Sequence, residues 1–375
     1  MAGGRLTVLQ ILPALESGGV ERGTLEVAGA LVEAGHRAIV VSSGGRLVDQ
    51  LVDNGAEHIR MPVGRKSPAT LLQVRPLRQV LLNEQVDIVH ARSRIPAWIA
   101  WLAWRAMPAE QRPRFVTTVH GLYSVNRYSA IMMRGECIIA VSDTAHKYIL
   151  DNYPAVDPGR VATIYRGVDP GEFPYNFRPD EVWRESWYSK YPFLRNRKVL
   201  TLPGRLTRLK GHEDFIRLIA VLVADGLDVH GLIVGYLDPE RRKYIDELYK
   251  LIADSSLEDR ITFTGQQSDM KNIYACSNVV MSLSSKPESF GRAVAEALSL
   301  GVPVVGYGHG GVGEILGRYF PAGSVSAGDT GLLAEKITSI LDGPARITRQ
   351  EIITRQAMLE QLLQLYQEQA PSQQQ

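Results

Sequence analysis

Residues 170–204 read PGEFPYNFRPDEVWRESWYSKYPFLRNRKVLTLPG and divide the chain in two. Before them, short β-rich runs alternate with helical stretches. Strands are predicted at 6–12, 38–43, 58–61, 87–91, 114–118, 137–141 and 161–165. Between the first two, Val20–Ala34 repeats Leu25, Ala28, Leu31 and Val32 at helical spacing. The alternation fails over about 170–197, which is rich in Pro, aromatic and charged residues. It restarts at Lys198 with KVLTLPG, a buried strand ending in Pro-Gly. Further strands are predicted at 229–234, 260–264, 278–283 and 302–306. Strand–helix alternation on this scale implies an α/β chain, each half a parallel sheet covered on both faces. Such sheets take ligands at the carboxyl ends of their strands, here expected in a cleft between the halves.

The expected boundaries are a first domain at 1–172, a linker at 173–197 and a second domain at 198–345. A C-terminal helix follows at 346–368. Its apolar residues Ile352, Ile353, Met358, Leu362, Leu363 and Tyr366 need a surface to cover, expected on the first domain. A frayed tail is expected at 369–375.

Bulk properties narrow the class. A chain of 375 residues suits two domains. A formal charge of +2 excludes a strongly basic nucleic-acid binder by composition. Cys137 and Cys276 lie in apolar runs and read as two buried, reduced thiols, which suits a reducing compartment. The apolar run Leu6–Leu12 holds Thr7 and Gln10 and has no cleavage site after it, so it reads as a first strand and not a signal peptide. No window reaches the ~18 apolar residues of a membrane span. The expected location is the cytoplasm, in solution or at the inner face of the cytoplasmic membrane.

Three constellations carry chemistry. Gly18-Gly19 follows the first strand and opens a helix at Val20. Paired glycines let backbone N–H groups approach a phosphate, although such a pair is as often only a turn. The second is GRLTRLKG at 204–211, where Arg205 and Lys210 set two cations beside a helix start. A departing diphosphate needs such charge; the plain alternative is a solvated basic turn. The third is Glu288-Ser-Phe-Gly-Arg-Ala-Val-Ala-Glu296, with a helix starting near Gly291, Glu288 in the loop before it and Glu296 inside it. Eight helical residues span ~12 Å, too far for the carboxylate pair of a glycoside hydrolase, at most ~9.5 Å. One acid near a sugar and one near a nucleotide fits better.

With PESFGRAVAEALSLGVPVV (287–305), GRLTRLKG, CIIAVS (137–142) and IYRGVD (164–169) on the page, the chain resembles a known family. It is similar to the retaining GT-B glycosyltransferases of family 4 (group 1), of lipopolysaccharide-core type, along most of its length. The resemblance implies two Rossmann-like, doubly wound domains facing a central cleft, the first on the acceptor side and the second binding a nucleotide-sugar. It gives Arg205 and Lys210 to the donor diphosphate, Glu288 to the donor sugar's hydroxyls and Glu296 to the ribose. Backbone amides at Ser289, Phe290 and Gly291 would hold sugar or phosphate oxygens. Gly19, beside Gly18, would approach the diphosphate, and His120 in Thr-Val-His-Gly would face the reacting sugar. The chain departs from the family at Arg166 (commonly Asn), Ser289 (commonly Gly) and Gly313 (commonly Pro); Glu314 could still cap a helix or contact the donor.

Retention without an enzyme nucleophile is likewise implied by the resemblance. The sequence has neither an Asp-x-Asp motif nor a His/Cys ligand cluster, so neither metal nor other cofactor is expected. The expected co-substrate is a nucleotide-sugar, UDP-linked by preference, and the acceptor a glycan or lipid-linked molecule of cell-envelope polysaccharide or lipopolysaccharide core. Residues 60–134 hold twelve Lys and Arg against three Asp and Glu, and within them Trp98, Trp101 and Trp104 recur at spacing three. That pattern fits an anionic membrane surface, or equally a Trp stripe packed inward beside a solvated basic face. Other readings are an epimerase or hydrolase acting on nucleotide-sugars, and a non-catalytic nucleotide-sugar-binding protein at a membrane. No nucleic-acid-binding motif accompanies the basic stretch, so nucleic acid is not an expected partner.

Overall fold

Segments such as Ala38-Ile39-Val40-Val41 and Val229–Val234 are buried along their whole length, as central strands of a parallel sheet covered on both faces must be. The computed structural model describes residues 4–16, 18–344 and 346–370. These fall into two compact units, one of the described residues up to 165 with those from 356 to 370, and one of those within 166–355.

Unit 1 carries β1 (Thr7–Ile11), β2 (Arg37–Ser42), β3 (Glu57–Arg60), β4 (Ile88–Ala91), β5 (Arg114–Val119), β6 (Cys137–Ala140) and β7 (Val161–Thr163). They form one parallel sheet in the order β3-β2-β1-β4-β5-β6-β7. Its helices are α1 (Gly19–Glu33), α2 (Val48–Asp53), α3 (Val74–Asn83), α4 (Arg94–Arg105) and α5 (Asp143–Asn152). The buried stripe of α1 is Thr24, Leu25, Val27, Ala28 and Leu31, and it packs on Val8 and Val40 of the sheet.

Unit 2 opens with α6 (Glu181–Lys190) and then repeats the plan. Its strands are β8 (Lys198–Pro203), β9 (Val229–Val234), β10 (Ile261–Gly265), β11 (Val279–Ser282), β12 (Val304–Tyr307) and β13 (Ser324–Val325). Their order is β10-β9-β8-β11-β12-β13, again parallel. The helices are α7 (His212–Ala224), α8 (Arg242–Asp254), α9 (Met270–Ala275), α10 (Arg292–Ser299), α11 (Gly310–Tyr319) and α12 (Thr330–Asp342), and α13 (Arg355–Gln369) closes the described chain. Twelve of the strands fall within two residues of the sequence reading; two-residue β13 leaves too short a run to see.

The structure departs from the sequence reading at both junctions. Inside the segment read as a linker, α6 is capped by the Asp180 carboxylate, which accepts from the Trp183 amide at 2.8 Å. Trp183 stacks on Trp187, and Trp187 meets Tyr191 edge-on with centroids 4.6 Å apart. Trp187, Tyr191 and Leu194 are buried against Val199, Leu232 and Ile273, so this segment is part of unit 2. The helix expected from 346 starts only at Arg355. Upstream of it the backbone is bonded elsewhere in unit 2: Ile347 N donates to Gly301 O, and Val168 exchanges bonds with Ile353 O and Arg355 N. The helix also runs to Gln369, the first residue of the expected tail, and 371–375 lie outside the described residues. Its Met358, Leu362 and Tyr366 are buried on the unit 1 core, and Tyr366 Oη lies 2.6 Å from His90 Nδ1. Of the two thiols, Cys137 is buried and Cys276 only partly so. Among the described residues no helix is long and apolar enough to cross a membrane.

Candidate active site

Unit 2 gathers its polar side chains at the carboxyl ends of β8, β11 and β12. The strand order reverses between β8 and β11, and that crevice is where doubly wound sheets bind ligands. After β8 the chain bends at Gly204, with φ +146°, and a Cβ there would stand 3.4 Å from the Lys210 stem. The bend thus lays Lys210 across the strand end toward β11. Its Nζ donates to Glu288 Oε1 at 2.8 Å, and the Ser284 hydroxyl donates to the same oxygen. Oε2 takes no donor from the described residues and is left to accept from a ligand. Burial pushes the Glu288 carboxyl up, but the charge and hydrogen bond of Lys210, the Ser284 hydroxyl and His309 outweigh it, so its pKa stands below the ordinary range. Glu288 is therefore an anion throughout the physiological range.

The other cations of GRLTRLKG are not equivalent. Arg208 is held by Glu213 and Glu247 and lies over the Tyr244 ring, 4.9 Å from its centroid. Arg205 is exposed and in no ion pair among the described residues. It remains available to a diphosphate.

Helix α10 begins after Gly291, leaving Glu288, Ser289 and Phe290 in the preceding loop. Phe290 is half-buried against the cluster holding Val294, Val312 and Ile315. Glu296 is buried within α10, and Arg292 one turn earlier donates to its Oε1 at 2.6 Å. That partner was not weighed in the sequence reading. Helices α7, α10 and α11 begin at Gly211, Gly291 and His309 without a side-chain cap, so three positive dipole ends lie at these strand ends. The cap position of α11 belongs to His309; Glu314 stands inside that helix.

Two neighbours of Glu288 went unnoticed in the sequence. Ser284 sits one turn of loop away with nothing to mark it. His309 stacks on Tyr307, and its Nε2 is enclosed without a hydrogen-bond partner. The GHGG context was the only signal available.

In unit 1, α1 starts at Gly19, one residue before the expected start, with Gly18 at its cap position and both glycines exposed. Nothing stands within 4 Å of where a Gly19 side chain would be, so its backbone can be approached closely. His120 follows β5 directly and is half-buried. Arg92, counted above with the basic stretch, is buried after β4 and donates to Gln10 Oε1 at 3.0 Å. Among the described residues, no group of three or more His, Cys, Asp or Glu is placed to hold a metal ion.

Two parallel Rossmann-like sheets, each with a reversal point, and an oriented carboxylate beside cations and helix N-termini define a sugar-transferring enzyme of the GT-B class. The comparisons agree. Residues 17–172 match the profile of Glycosyltransferase Family 4, and 184–357 that of Glycosyl transferases group 1. A glycosyltransferase from Rickettsia africae, known from its crystal structure, is 31% identical; the match covers 97% of this chain and 98% of that one with a TM-score of 0.84. N-acetyl-alpha-D-glucosaminyl L-malate synthase of Bacillus anthracis is 26% identical over 349 residues, 88% of this chain and 84% of its own. Anabaena HepE, in complex with UDP and glucose, is 20% identical and shares the fold over 96% of this chain and 99% of its own, with a TM-score of 0.79. The chain belongs to the family 4, group 1 glycosyltransferases, and it is a transferase.

Proposed function

We propose that this enzyme is a retaining, metal-independent transferase that moves a sugar from a nucleoside diphosphate, UDP before others, to a glycan or lipid-linked acceptor. Cell-envelope polysaccharide or lipopolysaccharide core is the favoured destination, and the inner face of the cytoplasmic membrane the favoured location. The observation that carries the reading is the Lys210–Glu288 pair at the β8/β11 crevice, with Oε2 of Glu288 left to accept. UDP is preferred because HepE is known in complex with UDP and glucose. The retaining course, Glu296 at the ribose and His120 at the reacting sugar rest on the family resemblance.

In this reading Glu288 accepts a hydroxyl of the donor sugar, and Lys210 and Arg205 hold the diphosphate. Backbone amides of Ser289, Phe290 and Gly291 and the N-terminus of α10 add dipoles to the same anion. As the anomeric C–O bond breaks, negative charge grows on the leaving phosphate, and fixed cations stabilise that state more than the ground state. The acceptor hydroxyl oxygen then bonds to the anomeric carbon on the face the phosphate leaves, and its proton passes to the departing phosphate oxygen. Arg205, Lys210 and the dipoles supply the positive charge that a divalent ion supplies elsewhere.

The test is nucleotide release from UDP-, GDP- and ADP-sugars, with EDTA present and with crude lipid-linked acceptor added or withheld. One donor should be turned over by the wild type, and Glu288→Ala and Lys210→Ala should both lose that turnover. Turnover that survives both substitutions, or that requires a divalent ion, would overturn the assignment. Acceptor-independent conversion to an epimer would move the chain to the epimerase reading.

A further inference from the structure

Part of the basic stretch of unit 1 comes together where α3, α4 and the short helical turns Pro68–Gln73 and Ser129–Arg134 pack on one another; Arg60 ends β3 and Arg114 opens β5, away from that cluster. Among the described residues, only Arg114 of its twelve cations is ion-paired, with Glu136 at 3.0 Å. Arg92 is buried; most of the rest stand uncompensated near the surface. Several stand over aromatic rings. Arg105 covers Trp101 at 4.7 Å, Arg112 covers Trp104 at 4.8 Å and Arg94 covers Tyr128 at 5.0 Å. The Trp stripe therefore lies neither in the core nor bare in water. Pro96, Ala97, Ile99, Ala100 and Ala103 form the buried face of α4, and the three indoles are half-exposed beside it.

Between α4 and the 68–73 turn opens a cavity of about 460 Å³. Leu71, Ile95, Trp98 and Tyr128 give it a mostly apolar wall, and the exposed Arg65 and Lys66 line it as well. Leu71, on its wall, and Leu72, the next residue, also project into solvent, 54% and 74% exposed. A soluble surface gains nothing from exposing adjacent leucines, and a nucleic-acid or acidic-protein partner would use the cations but not the leucines. An anionic amphiphile uses both. Half-buried indoles bonded through Nε1, as Trp98 is to Tyr128 O at 3.1 Å, suit the boundary between headgroups and chains.

We propose that this cavity seats an acyl chain of an anionic phospholipid, with Arg65 and Lys66 at its headgroup phosphate, and that unit 1 docks on an anionic bilayer by this face. The inference deepens the membrane-surface part of the proposed function. It does not depend on the donor chemistry, since vesicle binding and nucleotide release are separate measurements. Docking would hold the enzyme where a lipid-linked acceptor is presented.

The experiment is sedimentation with vesicles of phosphatidylcholine alone or mixed with an equal part of phosphatidylglycerol. It is paired with quenching of tryptophan emission by phosphatidylglycerol brominated on its chains. The full chain should partition onto the mixed vesicles at least about tenfold more strongly, since each Lys or Arg near an anionic surface adds about 1 kcal/mol. Arg65→Glu with Lys66→Glu should abolish the preference, and Leu72→Asp should weaken binding with circular dichroism unchanged, because all three side chains are exposed. Brominated lipid should quench the wild type, and Trp98→Phe should remove most of that quenching. Equal binding to both vesicles, or no binding, overturns the docking face. Binding to the mixed vesicles without quenching from Trp98 means charge attraction alone and overturns the chain-binding cavity.

Discussion

Both side-chain donors to the Glu288 carboxylate fall on Oε1, from Lys210 at 2.8 Å and from Ser284. The acid is thus held in one orientation while its other oxygen stays open to a ligand. Replacing it by Gln keeps the shape but removes the negative charge that, on the proposed function, faces a sugar becoming cationic. Turnover should fall about 10²–10³-fold, the usual cost of losing one preorganised electrostatic contact. Ser284→Ala is the finer test. Burial raises the carboxyl pKa, and Ser284 is one of the groups holding it down. Without that hydroxyl the pKa should rise, and the acid limb of the pH–rate profile should move to higher pH. A limb that stays in place would mean that Glu288 does not titrate in turnover. The motif itself was legible because Glu288 and Glu296 are marked by local spacing and by the apolar helix around the second. Its neighbours were not. Nothing within GRLTRLKG distinguishes Arg208 from Arg205, because what engages Arg208 lies outside it, at Glu213 and, 39 residues away, at Glu247.

At the scale of elements, the loop bearing Glu288 is fixed by α11. The Gly311 amide donates to Glu288 O at 2.7 Å, and Glu288 bridges to Gly310 like one more strand pair. The approach is close enough to exclude side chains. Gly310 has φ +61° with Glu288 O 2.7 Å from any Cβ, and a Cβ on Gly311 would overlap the Phe290 carbonyl. Gly311→Ala should therefore push the loop away from α11 and cost about 1–3 kcal/mol, as overpacking does. Donor KM should rise while kcat changes less, and both can be read from one kinetic series. Unchanged kinetics would show that the loop is positioned some other way. Strands and α1 could be read from the sequence because buried parallel strands leave continuous β-branched runs. The 346–354 segment could not, since its helix-like apolar spacing yields to hydrogen bonds with Val168 and Gly301 that no local pattern announces. Helix α6 did carry a signal in Trp183, Trp187 and Tyr191 at spacing four, masked by the prolines on either side.

At the scale of the molecule, charge is distributed unevenly: a net +9 over 60–134 in a chain of +2 leaves the rest acidic. Unit 2 also buries two histidines whose titration reaches its stability as a whole. His212, at the head of α7, is pushed down to about 4, first by burial and then by the Lys210 charge, against a backbone hydrogen bond at Thr207. His230, on β9, is pushed down to about 4 by burial and by Arg197 and Arg260, against Asp259 and Asp228. In the unfolded chain both titrate near the ordinary 6.5. Between these values the unfolded state binds protons that the folded state refuses, so stability falls as pH drops through the window. The loss amounts to roughly 3 kcal/mol per ring by the bottom of the window. Depressed carboxylates such as Glu288 lose their contribution only at lower pH, so melting between pH 6.5 and about 4.5 isolates the histidines. Thermal scans followed by the emission of Trp183 and Trp187, in a Trp98→Phe, Trp101→Phe, Trp104→Phe background, should show unit 2 melting progressively earlier across that window. His230→Asn should make the dependence about half as steep. A melting temperature that is flat there in the parent protein would mean that the two rings take up protons in the folded state, and that unit 2 opens locally around β9 and the head of α7 before it unfolds.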